Sequence, residues 1–137
     1  MDDNRAGFRE LEHTADWALE VWAPDLGLLF AQAAQGMYWL METHLTDGPR
    51  LERTLVLEGV DAESLLVTFL GELLYIGESE QIGFDQFNLS LTETRLTAHL
   101  RGASVADIKK EIKAVTYHNL EVRRAEQGYS VVIVFDV

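Results

Sequence analysis

Apolar positions along the chain change period several times, and each change marks an element. Residues 8–13 and Trp17–Ala23 read as two strands joined by a tight connection at residues 14–15. Pro24 and Asp25 interrupt the pattern, and Asp25 is a predicted N-cap because its carboxylate can accept from first-turn amides. Leu26, Leu29, Phe30, Ala33, Met37, Leu40 and Met41 then recur at helical spacing. This predicts a helix running to about His44. The stretch "THLTDGPR" is a predicted loop, broken by Gly48 and Pro49. "LERTLVLEG" is a third strand. Asp61 then caps a second helix with the stripe Leu65, Leu66, Phe69, Leu70, Leu73 and Ile76, and Gly77 is placed at its end.

The stretch "FNLSLTETRLTAHLRG" alternates. Phe87, Leu89 and Leu91 share a face, as do Leu96, Ala98 and Leu100 beyond a turn at residues 93–94. That is a hairpin with one wet face. "ADIKKEIKAVTYH" fits either period and reads as a short turn followed by a strand. "LEVRRAEQGYSVVIVFDV" closes the chain as a hairpin, with Gly128 supplying a positive φ at its turn. Both faces of its last strand are apolar, which predicts a central position. The element order implies an α+β fold, two helices packed on mostly antiparallel β-sheet, as a single two-layer domain over residues 1–137.

Composition narrows the function classes. The chain has 137 residues, 47% of them hydrophobic, enough for one continuous core. No apolar run reaches bilayer-spanning length, so no membrane association is expected. The start "MDDNRAGFRE" is too acidic to read as a secretory signal, and a cytoplasmic location is expected. There is no cysteine, which removes disulfides, thiolate metal sites and a thiol nucleophile. The net charge of −12 disfavours unassisted binding to phosphate backbones and favours basic partners or cations.

Chemistry concentrates in three places. In "LEHTADWALEV", a tight connection can aim His13 and Asp16 from strand ends, although Asp and Thr also simply make turns. "EIKAVTYHNLEV" carries Lys113, Thr116, Tyr117 and His118, although a solvated strand lysine and a satisfied histidine at a strand junction are the ordinary readings of Lys113 and His118. His44, read as the end of a helix, and His99, on the wet hairpin face, are less distinctive. At the chain end Asp136 follows a strongly apolar strand, where a carboxylate requires a cation, several amides or a wet terminus. With the terminal carboxylate of Val137 and a third group such as Asp16, it would form a hard oxygen cluster suited to Ca²⁺, Mg²⁺ or Mn²⁺. No Gly-rich phosphate loop, zinc pattern or nucleophile elbow occurs, and nothing pairs Glu12 with Glu72 as acid and base. No catalytic residue is assigned.

Taken together, "EHTAD" at residues 12–16, the "LF" and Ala pair of the first helix, "ESLL" and "ELLY" within residues 63–75, "EIKAVTYH" at 111–118 and the final "VIVFDV" resemble the archease family. These blocks occur in the family's order over nearly the whole chain. Trp17 and Ala18 depart from the small or aliphatic pair usual after "HTAD", and Asn119 replaces the Gly common after "TYH". The resemblance implies a non-catalytic protein cofactor of RtcB-type, GTP-dependent RNA ligases, which join RNA ends in tRNA splicing and RNA repair. It would promote guanylation of the ligase histidine and multiple turnover, and would meet RNA only through the ligase. It further implies a divalent-metal site of Asp16, Asp136 and a main-chain or terminal oxygen of Val137. Lys113 matches a functional lysine, with His118 as a secondary candidate and His13 beside them. A small metal-dependent hydrolase and a general chaperone or interaction module are the alternatives.

Overall fold

The structure, a computed structural model, describes residues 5–11 and 17–137. Strands β1 (Gly7–Leu11) and β2 (Trp17–Ala23) pair antiparallel, with Gly7 opposite Trp22 and Leu11 opposite Ala18. Alternation along β2 buries Leu19, Val21 and Ala23. Helix α1 (Leu26–Leu40) starts as predicted: Asp25 is extended and its carboxylate accepts from the Leu28 amide at 2.8 Å.

The helix ends before His44. The amides of Met41, Glu42 and Thr43 return to the carbonyls of Met37, Trp39 and Tyr38, and Glu42 takes a positive φ of 52° that turns the chain out. His44 therefore belongs to a short strand, β3 (His44–Leu45), inside the stretch predicted as loop. The second helix, α2 (Ala62–Glu80), is capped reciprocally by Asp61 and Ser64. It continues past Gly77, because Gln81 (φ 59°) takes the left-handed capping position and donates to the Gly77 carbonyl at 3.0 Å.

Between the helices runs β4 (Leu51–Glu58), and after α2 come β5 (Ile82–Leu91) and β6 (Arg95–Asp107). The hairpin of β5 and β6 is longer than the alternating stretch, because β6 continues to pair with β3 at its far end. Its predicted faces are present: Leu96, Ala98 and Leu100 are buried, while Arg95, His99 and Arg101 are exposed. Gly102 sits beside a bulge in β5, where an added Cβ would stand 1.8 Å from the Gly83 carbonyl oxygen.

The region 108–118 contributes only β7 (Ala114–Val115). Strands β8 (Arg123–Ala125) and β9 (Gly128–Asp136) form the last hairpin, turned by Gly128 at φ 133°. The expected α+β fold is present, with its antiparallel strands divided between two sheets. One has the order β1-β2-β9-β7, with β8 also on β9; the other places β6 between β4 and β5, with β3 on its end. The central position predicted for the last strand is confirmed, since β9 lies between β2 and β7. Helix α1 packs on β1, β2 and β9 and reaches β5; α2 packs on β4, β5 and β6 and reaches β7. Phe30 and Phe69 stack between the helices at 6.2 Å. Each is fully buried, and such a side chain contributes about 1.5–3 kcal/mol. One core cluster joins both sheets and both helices.

Candidate functional site

The end of β9 is where the candidate residues converge. Ala114 pairs with Asp136 and Val115 with Phe135, so the "EIKAVTYH" segment lies along the end of the last strand. The Lys113 amide donates to the Asp136 carbonyl at 2.8 Å. Three residues on, both the amide and the hydroxyl of Thr116 donate to the Val134 carbonyl, at 3.1 and 2.9 Å. The Thr116 hydroxyl also accepts from the His118 amide at 3.2 Å. Asn119 follows in the left-handed region at φ 50°, and its side-chain nitrogen is 3.4 Å from His118 Nε2. That backbone conformation favours Gly and, among other residues, Asn, which accounts for the Gly-to-Asn departure at this position.

Backbone pairing thus holds Lys113 and Asp136 together while both side chains reach solvent. Among the described residues neither the Asp136 carboxylate nor the Lys113 ammonium has an ion-pair or hydrogen-bond partner. Val137 is 42% exposed. Across the sheet, Trp17 pairs with Phe135. Asp16 immediately precedes Trp17 and Asp136 immediately follows Phe135 in the sequence. Glu12, His13 and Asp16 themselves lie outside the described residues.

Lys110, absent from the sequence-based candidates, stands at the same place. Its Nζ lies 5.3 Å from the centroid of the Trp17 ring and 3.8 Å from a Glu42 carboxylate oxygen. The amides of Lys109 and Lys110 donate to the Met41 carbonyl at 3.0 and 3.1 Å. The lysine-rich segment is therefore tied to α1 at one end and to β9 at the other. Trp17, a departure from the family pattern, was the available signal: an aromatic face beside a strand end is a platform for a cation.

Other candidates fall elsewhere. His44 pairs with Asp107, Nδ1 to Oδ1 at 2.8 Å, on the edge of β6. His99 meets the Thr54 hydroxyl at 3.2 Å on the wet hairpin face. Glu72 is half-buried on α2, and Tyr117 is exposed. Among the described residues no three His, Asp or Glu side chains come together. Asp136 and Val137 offer hard oxygen donors, the type that Ca²⁺, Mg²⁺ and Mn²⁺ take. Alone they fall short of the roughly six to eight oxygens of such a coordination shell, so further ligands are required.

Comparison with known proteins places these features in a family. The family model described as the archease protein family (MTH1598/TM1083) matches residues 8–137. The archease of Archaeoglobus fulgidus is 33% identical over 137 residues, covering 95% of this chain and 98% of the relative. That of Methanosarcina barkeri is 33% identical over 148 residues, with both chains covered completely. Among solved structures, a Methanobacterium thermoautotrophicum protein has the same fold at a TM-score of 0.71 and 23% identity, with 96% of this chain and 99% of the other covered. A Thermotoga maritima archease described as a possible chaperone follows at 0.70 and 23%, with 94% and 96% covered. The length of the match and the identity of its full-length relatives establish that this chain belongs to the archease family.

Proposed function

We propose that this chain is a non-catalytic activator of an RtcB-type RNA ligase. It promotes guanylation of the ligase and repeated turnover in tRNA splicing or RNA repair, through a divalent-metal site at the end of β9. The observation that carries this reading is the exposed Asp136 carboxylate, on a residue whose backbone carbonyl accepts from the Lys113 amide and which follows the strand residue that pairs with Trp17. Asp16, Asp136 and a main-chain oxygen of Val137 would hold the ion. When bound, the ion supplies positive charge to phosphate or carboxylate oxygens of the ligase site. The exposed Lys113 ammonium meets the same kind of group as a mobile point charge. His118, fixed through Thr116, and His13 flank that surface in this reading.

The net charge of −12 draws the protein to a ligase whose surface must attract RNA, so RNA contact runs through the ligase. Among the described residues no helix is long and apolar enough to cross a membrane, in keeping with the proposed cytoplasmic role. The helix stripes Leu65, Leu66, Phe69, Leu70, Leu73 and Ile76 are buried, which counts against a general chaperone that binds by those faces. A multiple-turnover RNA ligation assay tests the reading. Ligated product should exceed the amount of ligase only when this protein is present. Hydrolysis of nucleotide by the protein alone would favour the metal-dependent hydrolase instead.

A further inference from the structure

All the lysines of this chain lie in one short stretch, as Lys109, Lys110 and Lys113, although acidic side chains outnumber basic ones by 23 to 11. Their surroundings divide them. The Lys110 ammonium lies over the Trp17 ring and 3.8 Å from a Glu42 carboxylate oxygen. The ammonium groups of Lys109 and Lys113 have no ion pair among the described residues. One lysine is held, and those on either side of it are left to solvent.

Glu42 is an unfavourable residue for its position on two counts. Its φ of 52° is left-handed, where Gly is favoured. Its carboxylate also follows the C-terminus of α1, the end at which the helix dipole disfavours an anion, and the last turn holds no basic residue to offset it. Lys110 supplies that cation from a distant part of the chain. The backbone brings it there, since the Lys109 and Lys110 amides both donate to the Met41 carbonyl at the helix end. On the other side of the ammonium, Trp17 opens β2 and pairs with Phe135, the residue before Asp136. The contact therefore spans from α1 to the β2–β9 ladder. Further along the same segment, the Lys113 amide donates to the Asp136 carbonyl.

We propose that Lys110 is a positioning residue: through Trp17 and Glu42 it fixes residues 109–113, so that the Lys113 ammonium and the Asp136 carboxylate meet a partner in one set arrangement. Its role toward a ligase rests on the activator reading; the clasp itself does not. Lys110→Met keeps the apolar stem and removes the charge, Lys110→Arg keeps the charge and can stack on the ring, and Lys109→Met controls for loss of a neighbouring charge. In amide hydrogen exchange of the full chain, the Lys113 and Thr116 amides should exchange roughly three- to tenfold faster in Lys110→Met, the worth of one exposed cation–ring contact and one surface ion pair. Amides of the β4–β6 ladder should keep their native rates. Lys110→Arg and Lys109→Met should protect Lys113 as the native chain does. In ligase guanylation, Lys110→Met should raise the half-saturating amount of this protein by a similar factor at an unchanged saturating rate, and Lys110→Arg should restore it. Native protection of Lys113 in Lys110→Met, or equal loosening in Lys109→Met, overturns the positioning role. Loosening with no change in the half-saturating amount overturns it as well. If the native protein stimulates no ligase, the activator reading fails instead, and the exchange rates still decide the clasp.

Discussion

The Lys113 amide donates to the Asp136 carbonyl across 2.8 Å, while both side chains remain in solvent. The backbone does the positioning and the two charged groups are left available. The two roles of Lys113 are therefore separable. Lys113→Ala keeps the amide and should lower ligase stimulation with little change in melting temperature. Lys113→Pro removes the donor and should cost about 1–3 kcal/mol in denaturant unfolding. A large stability loss in the alanine variant with stimulation intact would make the side chain a structural one.

Asp136 likewise takes part in the sheet only through its main chain. Asp136→Ala should leave the fold intact and weaken Mg²⁺, Ca²⁺ or Mn²⁺ binding by at least about tenfold in calorimetric titration, as should Asp16→Ala. Unchanged metal affinity in both variants would sink the shared site.

The unpartnered Tyr38 hydroxyl predicts a gain on its removal. Tyr38→Phe should stabilise the protein by about 1 kcal/mol, read from chemical denaturation. A comparable loss would mean that the hydroxyl is paired in solution.

Acid titration tests the clasp between α2 and β4. The Arg53 guanidinium grips Glu80 through two hydrogen bonds and holds its carboxyl below the usual glutamate range. A depressed folded pKa contributes stability above the unfolded value of about 4.3, and that contribution is lost as pH falls through the folded one. Glu80→Gln should therefore be slightly less stable than the native protein at neutral pH, with the gap closing below about pH 4. Because both groups are largely exposed, the gap should be small and should narrow in high salt. A gap that persists undiminished at pH 2 contradicts this assignment.

What was legible beforehand was local. Asp25 and Asp61 announce their helices because capping depends on neighbours three residues away, and Gly128 announces its turn because few other residues tolerate φ 133°. The stripe from Leu65 to Ile76 is buried as read. Helix ends depart from the sequence pattern where unremarkable residues carry the positive φ, at Glu42 and Gln81. The full length of β6 is hidden because its far end pairs with β3, which is distant in the chain and loop-like in composition. At the site, "EIKAVTYH" and "FDV" stood out separately. Their junction depends on the register of β7 against β9, which no local pattern specifies. Lys110 over Trp17 was missed for the same reason.

Guanylation of an RtcB-type ligase, followed as guanylate covalently retained on the ligase over time, tests the central claim most directly. This protein, at sub-stoichiometric amounts and with a divalent cation present, should accelerate guanylation and restore it after each round of ligation. The Asp136→Ala variant should do neither. A ligase that loads guanylate at the same rate with and without the native protein would contradict the account.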